Sequence, residues 1–260
     1  MGMLKAFYFN EISSLSNGLV VEHKHILSAP EPDLLSYEIP GRDGTVYLDT
    51  GRRKNIDISY DTYLHVQKSM DKQAWITGIK QWLLSNPGHY FKLEDDFDLE
   101  HYRLAAYVQG LEVQDEWRWN TRQTPTFSCK PYRYLRNGDQ RETASSTSSI
   151  ELYNPTSFEA LPEIVVFYGS GSFKGTGIID IEYEDGTSYN GSFVGMATSG
   201  YAFLIDSEEQ IFRNGDTDDS PIYPGAQLDI FPVLKPGKNT VSINISGASQ
   251  WGVRPRWREL

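Results

Sequence analysis

Residues 70–85 read MDKQAWITGIKQWLLS, and this stretch decides the fold class. Apolar side chains fall at Trp75, Ile76, Ile79, Trp82 and Leu83, the spacing of one face of an α-helix. Asp71 places a carboxylate in the first turn, at the positive end of the helix dipole. Asn86-Pro87-Gly88 ends the helix, because proline cannot continue the hydrogen bonds and glycine suits the left-handed cap. A lone amphipathic helix with two tryptophans on its apolar face needs a sheet to cover. The flanking sequence reads as strand and turn, so the expectation is a mainly β chain: an N-terminal β domain with one packed helix, then a second β domain.

Strands are expected over 4–10 and 18–27, followed by an extended segment bracketed by Pro30 and Pro32. Ile39-Pro40-Gly41-Arg42-Asp43-Gly44 marks tight turns that need positive φ. Val46, Leu48, Ile56, Ile58 and Tyr60 then alternate with polar residues, which predicts a hairpin turned near Asp49 to Arg53. After the helix, strands are predicted at 89–93, 102–112 and 122–131, the first two joined by the acidic turn Glu94 to Glu100. Residues 136–149, RNGDQRETASSTSS, are small and polar, and set the boundary between domains 1–136 and 137–260. Beyond it, short strands are predicted at 150–153, 162–168, 176–183, 187–194, 201–206, 210–213, 226–231 and 239–245. Turn signals stand at Asp185-Gly186, Asn214-Gly215 and Pro236-Gly237, the pattern of an all-β sandwich.

Composition narrows the function classes. Gly 22, Pro 13 and Tyr 16 favour a turn-rich β protein over a helical one. No apolar run approaches the roughly 20 residues of a membrane span, and the N-terminus does not read as a cleaved leader. The one cysteine, Cys129, excludes an internal disulfide framework and fits synthesis in a reducing cytoplasm. The sequons at Asn190 and Asn244 carry no meaning without a secretory route. The net charge of −11 is uneven: residues 1–136 carry 16 basic and 18 acidic side chains, residues 137–260 carry 8 and 17. The basic stripe of a nucleic-acid binder is missing, since Arg52-Arg53-Lys54 is the only short cationic run.

Signals for chemistry are weak. His23 and His25 share a strand face, but no third zinc ligand follows at a workable spacing. Asp95-Asp96-x-Asp98-x-Glu100 and Asn214-x-Asp216-x-Asp218 mimic a calcium loop, without its sixth-position glycine or twelfth-position glutamate. Gly169-x-Gly171-x-x-x-Gly175-x-Gly177 precedes no helix, so it lacks the N-terminus that a phosphate cradle needs. GxSxG is absent, and Cys129 lies in an apolar alternation that reads as core. The expectation is therefore no catalytic residue, no metal and no cofactor. Trp117, Trp119, Trp251 and Trp257 raise one alternative, a sugar-stacking platform in a carbohydrate-binding β-sandwich module.

The order of segments carries a resemblance. IPGRDG (39–44), a helix ending QWLLS (81–85), KLEDDFD (92–98), HYRLAAY (101–107) and TFSCKPYRYL (126–135) succeed one another. This order resembles the N-terminal half of the distal tail protein (Dit) family of siphophages. NPTSFEALPEIVVFYGSG (154–171), KPGKNTVSINISGAS (235–249) and VRPRWREL (253–260) resemble its C-terminal half. The resemblance implies a homo-hexameric ring built by the N-terminal domains, with galectin-like C-terminal sandwiches radiating outward. Such a ring joins the tail-tube protein to the host-adhesion device at the virion tail tip: the tail-associated spike or lysin and receptor-binding proteins. The resemblance further implies that DNA passes through the ring without specific binding, that no membrane is involved, and that the protein is made in the bacterial host cytoplasm. The galectin galactoside signature has no match, since residues 137–260 contain no histidine. The hairpin around Gly41 to Tyr60, with Arg42, Arg52, Arg53 and Lys54, is the candidate inter-subunit arm.

Overall fold

The computed structural model of the 260-residue chain describes residues 4–65, 71–117, 120–168, 173–197, 202–217, 220–223, 225 and 228–260. Strands dominate, with one α-helix among the described residues. The chain divides into two compact units, the first ending at Arg133 and the second spanning Tyr134–Glu259.

The first unit is a large antiparallel sheet carrying the helix. Its strands run in the order Ile12–Ser13, Phe7–Phe9, Phe91–Asp95, Asp98–Ala106, Thr126–Leu135, Ile56–His65, Asn120–Gln123 and Val113–Trp117. Leu19–His25 also pairs with Ile56–His65. Period-2 alternation explains the central strand: Ile56, Ile58, Tyr60, Thr62 and Leu64 are buried, and their neighbours are less so. The helix occupies Lys72–Leu84. Asp71 is its N-cap rather than a first-turn residue, and its carboxylate accepts the Gln73 amide at 2.9 Å. Ile79 and Leu83 are buried, with Trp75, Ile76 and Trp82 partly so, and the Trp82 indole donates to the Phe9 carbonyl at 3.2 Å. Phe7 stacks between Tyr60, centroids 4.7 Å apart, and Trp82 at 5.8 Å, which fixes the helix over the sheet.

The predicted hairpin at 45–64 is incorrect. Thr45–Arg53 is one strand paired with Pro32–Glu38, and the turn between them is residues 39–44. Gly41 (φ 81°) and Gly44 (φ 84°) supply the positive φ that this turn needs. Gly51 also has positive φ, 76°, but it serves a bulge in its own strand, where residues 50–52 oppose Asp33 alone and the Asp49 carboxylate accepts the Gly51 amide. Ile56–His65 is a separate strand of the large sheet. The acidic turn is tighter than expected. Asp95 Oδ1 accepts from the amides of Phe97 and Asp98, so pairing resumes at Asp98.

The second unit packs two antiparallel sheets around one core. One has the order Glu142–Ser145, Gln250–Arg254, Glu163–Phe167, Ala202–Asp206, Ile211–Asn214. The other has Ile150–Asn154, Gly237–Asn244, Phe173–Tyr183, Ser188–Ala197. Within residues 136–149, Arg136–Asp139 forms a short 3-10 turn and Glu142–Ser145 joins a sheet. The strand predicted at 226–231 is absent among the described residues 228–231, where Leu228 and Phe231 pack on the core from irregular chain. Gln250–Arg254 is a strand that the turn-spacing argument did not predict.

Candidate assembly surface

The hairpin Pro32–Glu38/Thr45–Arg53 forms a two-stranded sheet with no third strand among the described residues. Directly opposed residues share a face. Leu35 opposes Leu48 and Tyr37 opposes Val46, which makes one face apolar. Leu34 opposes Asp49, Ser36 opposes Tyr47 and Glu38 opposes Thr45, which makes the other mostly polar. On the apolar face Leu35 is 47%, Tyr37 52% and Leu48 55% exposed, so both units' cores exclude it. A two-stranded hairpin is marginal in water without such cover.

The four candidate arm cations all lie on or beside this hairpin. Arg42 is at its tip. Arg52 faces Asp33 at 4.0 Å and Lys54 faces Glu31 at 3.5 Å, both exposed pairs of little energy. Arg53 closes the hairpin opposite Pro32. Sequence reading found these charges but missed the apolar face. Its signal, the run Leu34-Leu35-Ser36-Tyr37, was obscured by Pro30 and Pro32.

The candidate chemical residues separate. The His25 imidazole pairs with Asp61 at 3.2 Å, while His23 lines a nearby cleft. Asp61 is held below its usual value first by the hydrogen bond from Thr124 and then by His25, against the effect of burial. Among the described residues no group of three or more His, Cys, Asp and Glu is placed to hold a metal. The calcium-like run is spent on structure: Asp95 caps the turn and accepts from Tyr60 Oη at 2.7 Å, and Asp96 accepts the Ala6 amide. Asp218, Gly169 and Gly171 lie outside the described residues. Cys129 is fully buried, and burial pushes its thiol up to about 12. Trp251 and Trp257 are core residues of the second unit, so neither offers a face for sugar stacking. Trp119 and the Trp117 side chain lie outside the described residues.

No protein-family model matches the chain, and no curated protein does. Solved structures do. The SPP1 Dit protein, described as a paradigm of the hub adsorption apparatus of phages infecting Gram-positive hosts, superposes with a TM-score of 0.65. It is 13% identical, and 99% of this chain and 100% of that one are covered. The fold is that of a phage Dit hub. A chain of the phage P2 baseplate in its activated conformation with calcium matches at TM-score 0.57 and 10% identity, covering 96% of this chain and 97% of its own. The same baseplate with strontium gives 0.57 and 10%, covering 97% and 98%. The Dit-hub likeness therefore spans both units from end to end. No helix among the described residues is long and apolar enough to cross a membrane.

Proposed function

We propose that this chain is a structural distal tail hub protein of a siphophage or prophage, acting by assembly rather than catalysis. Six copies close into a ring through their N-terminal units. The ring joins the tail tube to the tail-associated spike or lysin and to receptor-binding proteins at the virion tail tip. The chain is made in the cytoplasm of the bacterial host, and the ring passes DNA without reading it. The second unit is a galectin-like sandwich that offers docking surface to adhesion proteins.

One observation carries this reading: the fold likeness to hub and baseplate chains covers nearly the whole of both partners. The hairpin supports it. An exposed ribbon with one apolar face needs cover from another chain, and it serves as the inter-subunit arm with Arg42, Arg52, Arg53 and Lys54. A donor arm on one side and an acceptor surface elsewhere make a heterologous contact, which closes into a ring when the rotation permits. The net charge of −11 suits a channel that must not retain phosphate.

The test is the native mass of the purified full-length protein by light scattering after size exclusion, with negative-stain imaging. A hexamer with a central hole supports the reading. A strict monomer at every concentration, also when mixed with tail-tube protein, overturns ring formation.

A further inference from the structure

We infer that a cleft on the first unit receives the hairpin tip of a second copy of this chain, with Arg42 seated among its carboxylates. The inference rests on the ring reading above and names the surface that the arm engages.

The cleft has a volume of about 420 Å³ and lies where the strands Leu19–His25, Ile56–His65, Val113–Trp117 and Asn120–Gln123 meet. Glu22, Asp61 and Glu112 line it. Among the described residues Arg122 is its one permanent cation, and it is already divided between Glu22 at 3.3 Å and Glu116 at 3.1 Å. The remaining field is negative, with His23 lining the cleft and His25 on Asp61. A second observation is independent of charge. Gln123 also lines the cleft, is 5% exposed, and its Nε2 has no hydrogen-bond partner. Its Oε1 is already taken by the Thr121 hydroxyl at 2.9 Å. A buried amide donor without an acceptor, in a residue that lines an acidic cleft, suits a ligand that brings both a cation and an acceptor oxygen.

The hairpin tip has that chemistry. Arg42 is exposed and has no ion-pair or hydrogen-bond partner for its guanidinium among the described residues. The preceding turn residues Pro40 and Gly41 present backbone carbonyls, and Asp43 beside Arg42 suits Arg122. The tip is exposed throughout residues 39–45. Arg42 can also hold two carboxylate oxygens at once through its planar fork.

Placement fits a head-to-tail contact. The hairpin is inserted between His25 and Ile56, so it leaves the sheet at the Ile56 end of that strand. The cleft centres on Asp61 and Thr62, roughly 20 Å further along at about 3.3 Å per residue. Donor and acceptor are therefore different surfaces of one unit, as a closed ring requires.

Two measurements on the full-length chain test this. In the first, Asp43→Cys and Gln114→Cys are combined, leaving Arg42 in place and buried Cys129 as the only other thiol. Mild oxidation is expected to give a ladder of cross-linked subunits, absent from either single variant. In the second, Arg42→Glu and Glu112→Arg are each expected to weaken self-association at least tenfold, and the two together to restore it. Wild-type rings with no cross-link and full assembly of Arg42→Glu overturn the cleft assignment while the ring reading stands. A wild-type chain that never associates, with or without tube protein, overturns both.

Discussion

Glu163 Oε2 accepts from Arg256 Nη2 at 2.9 Å and from Arg254 Nη1 at 3.0 Å, while its Oε1 meets Arg141 Nη2 at 2.5 Å. This carboxylate is fully buried and tethers three arginines, one of which also holds Asp206 at 2.9 Å. Arg256 keeps a positive φ of 55°, unusual for a residue with a side chain. The ion pairs, with the Arg256 amide on the Gly138 carbonyl at 2.8 Å, over-determine that conformation. Removing the shared carboxylate takes from three largely buried guanidinium groups their common partner, with Arg256 keeping Asp206. Glu163→Ala is expected to destabilise the second unit by about 3–5 kcal/mol. Guanidinium denaturation of the full chain reads this as an earlier transition of the second unit, with the first unit's transition unmoved.

Two glycines predict opposite outcomes for the same change. A Cβ on Gly138 would lie 2.5 Å from the Trp257 backbone nitrogen and 2.9 Å from its ring, and a backbone atom cannot swing aside. Gly138→Ala is therefore expected to cost about 1–3 kcal/mol by overpacking. Gly78 sits inside the helix Lys72–Leu84 and a Cβ there meets nothing within 4 Å. Gly78→Ala is expected to stabilise the first unit by about 0.5–1 kcal/mol through backbone entropy. Thermal melts of the two variants against wild type measure both signs.

Alkaline pH is expected to weaken the first unit. Burial pushes the Cys129 thiol from 9.0 up to about 12, with Arg103 opposing. Burial likewise pushes the Tyr107 phenol from 10.0 up to about 12. Tyr60 shifts the same way, through burial first and then the nearby Asp95. All three are neutral when protonated, so the folded state keeps protons that the unfolded chain releases. Their contribution is intact below pH 9 and is lost as pH rises toward 12. Denaturation midpoints at pH 7, 9 and 10.5 should fall in that order. At pH 8 the native thiol should react with a disulfide reagent only at the rate of unfolding.

Local signals of the right period made much of this fold legible. The helix face Ile79–Leu83, the alternation Ile56 to Tyr60 and the turn at Asp185-Gly186 all read correctly, because burial on one face imprints a spacing on the sequence. The hairpin misread has a definite cause. Gly51 and Gly41 both announce positive φ, and sequence does not tell a bulge glycine from a turn glycine. Partner strands decide that, and they are non-local. Residues 136–149 also hold a strand that local composition does not show: a small polar stretch can be a loop or an edge strand, and pairing with the distant Gln250–Arg254 makes Glu142–Ser145 a strand. The cleft was beyond sequence reading, since Glu22, Asp61, Glu112 and Gln123 converge only through sheet order. The arm's cations were visible as a run, and its apolar face was not.

That apolar face gives the sharpest separation of assembly from stability. Leu35 and Leu48 oppose each other on the hairpin, are 47% and 55% exposed, and belong to neither hydrophobic core. Leu35→Asp with Leu48→Asp should therefore leave the melting of both units nearly unchanged, within the roughly 0.5 kcal/mol usual for surface changes. Under a neighbouring subunit the same leucines would bury their remaining area. Full burial of a leucine is worth about 1.5–3 kcal/mol and each is about half exposed, so the pair supplies roughly 1.5–3 kcal/mol at each contact. Each 1.4 kcal/mol is a factor of about ten in affinity, so association should weaken at least about tenfold. Arg52→Glu with Arg53→Glu should impair the ring more mildly, and increasingly so at low salt, because these charges are exposed and screened. Sedimentation velocity over a concentration series distinguishes the cases. Loss of the oligomer with unchanged melting assigns the hairpin to the subunit interface. An oligomer that survives both double variants would exclude the hairpin as the arm.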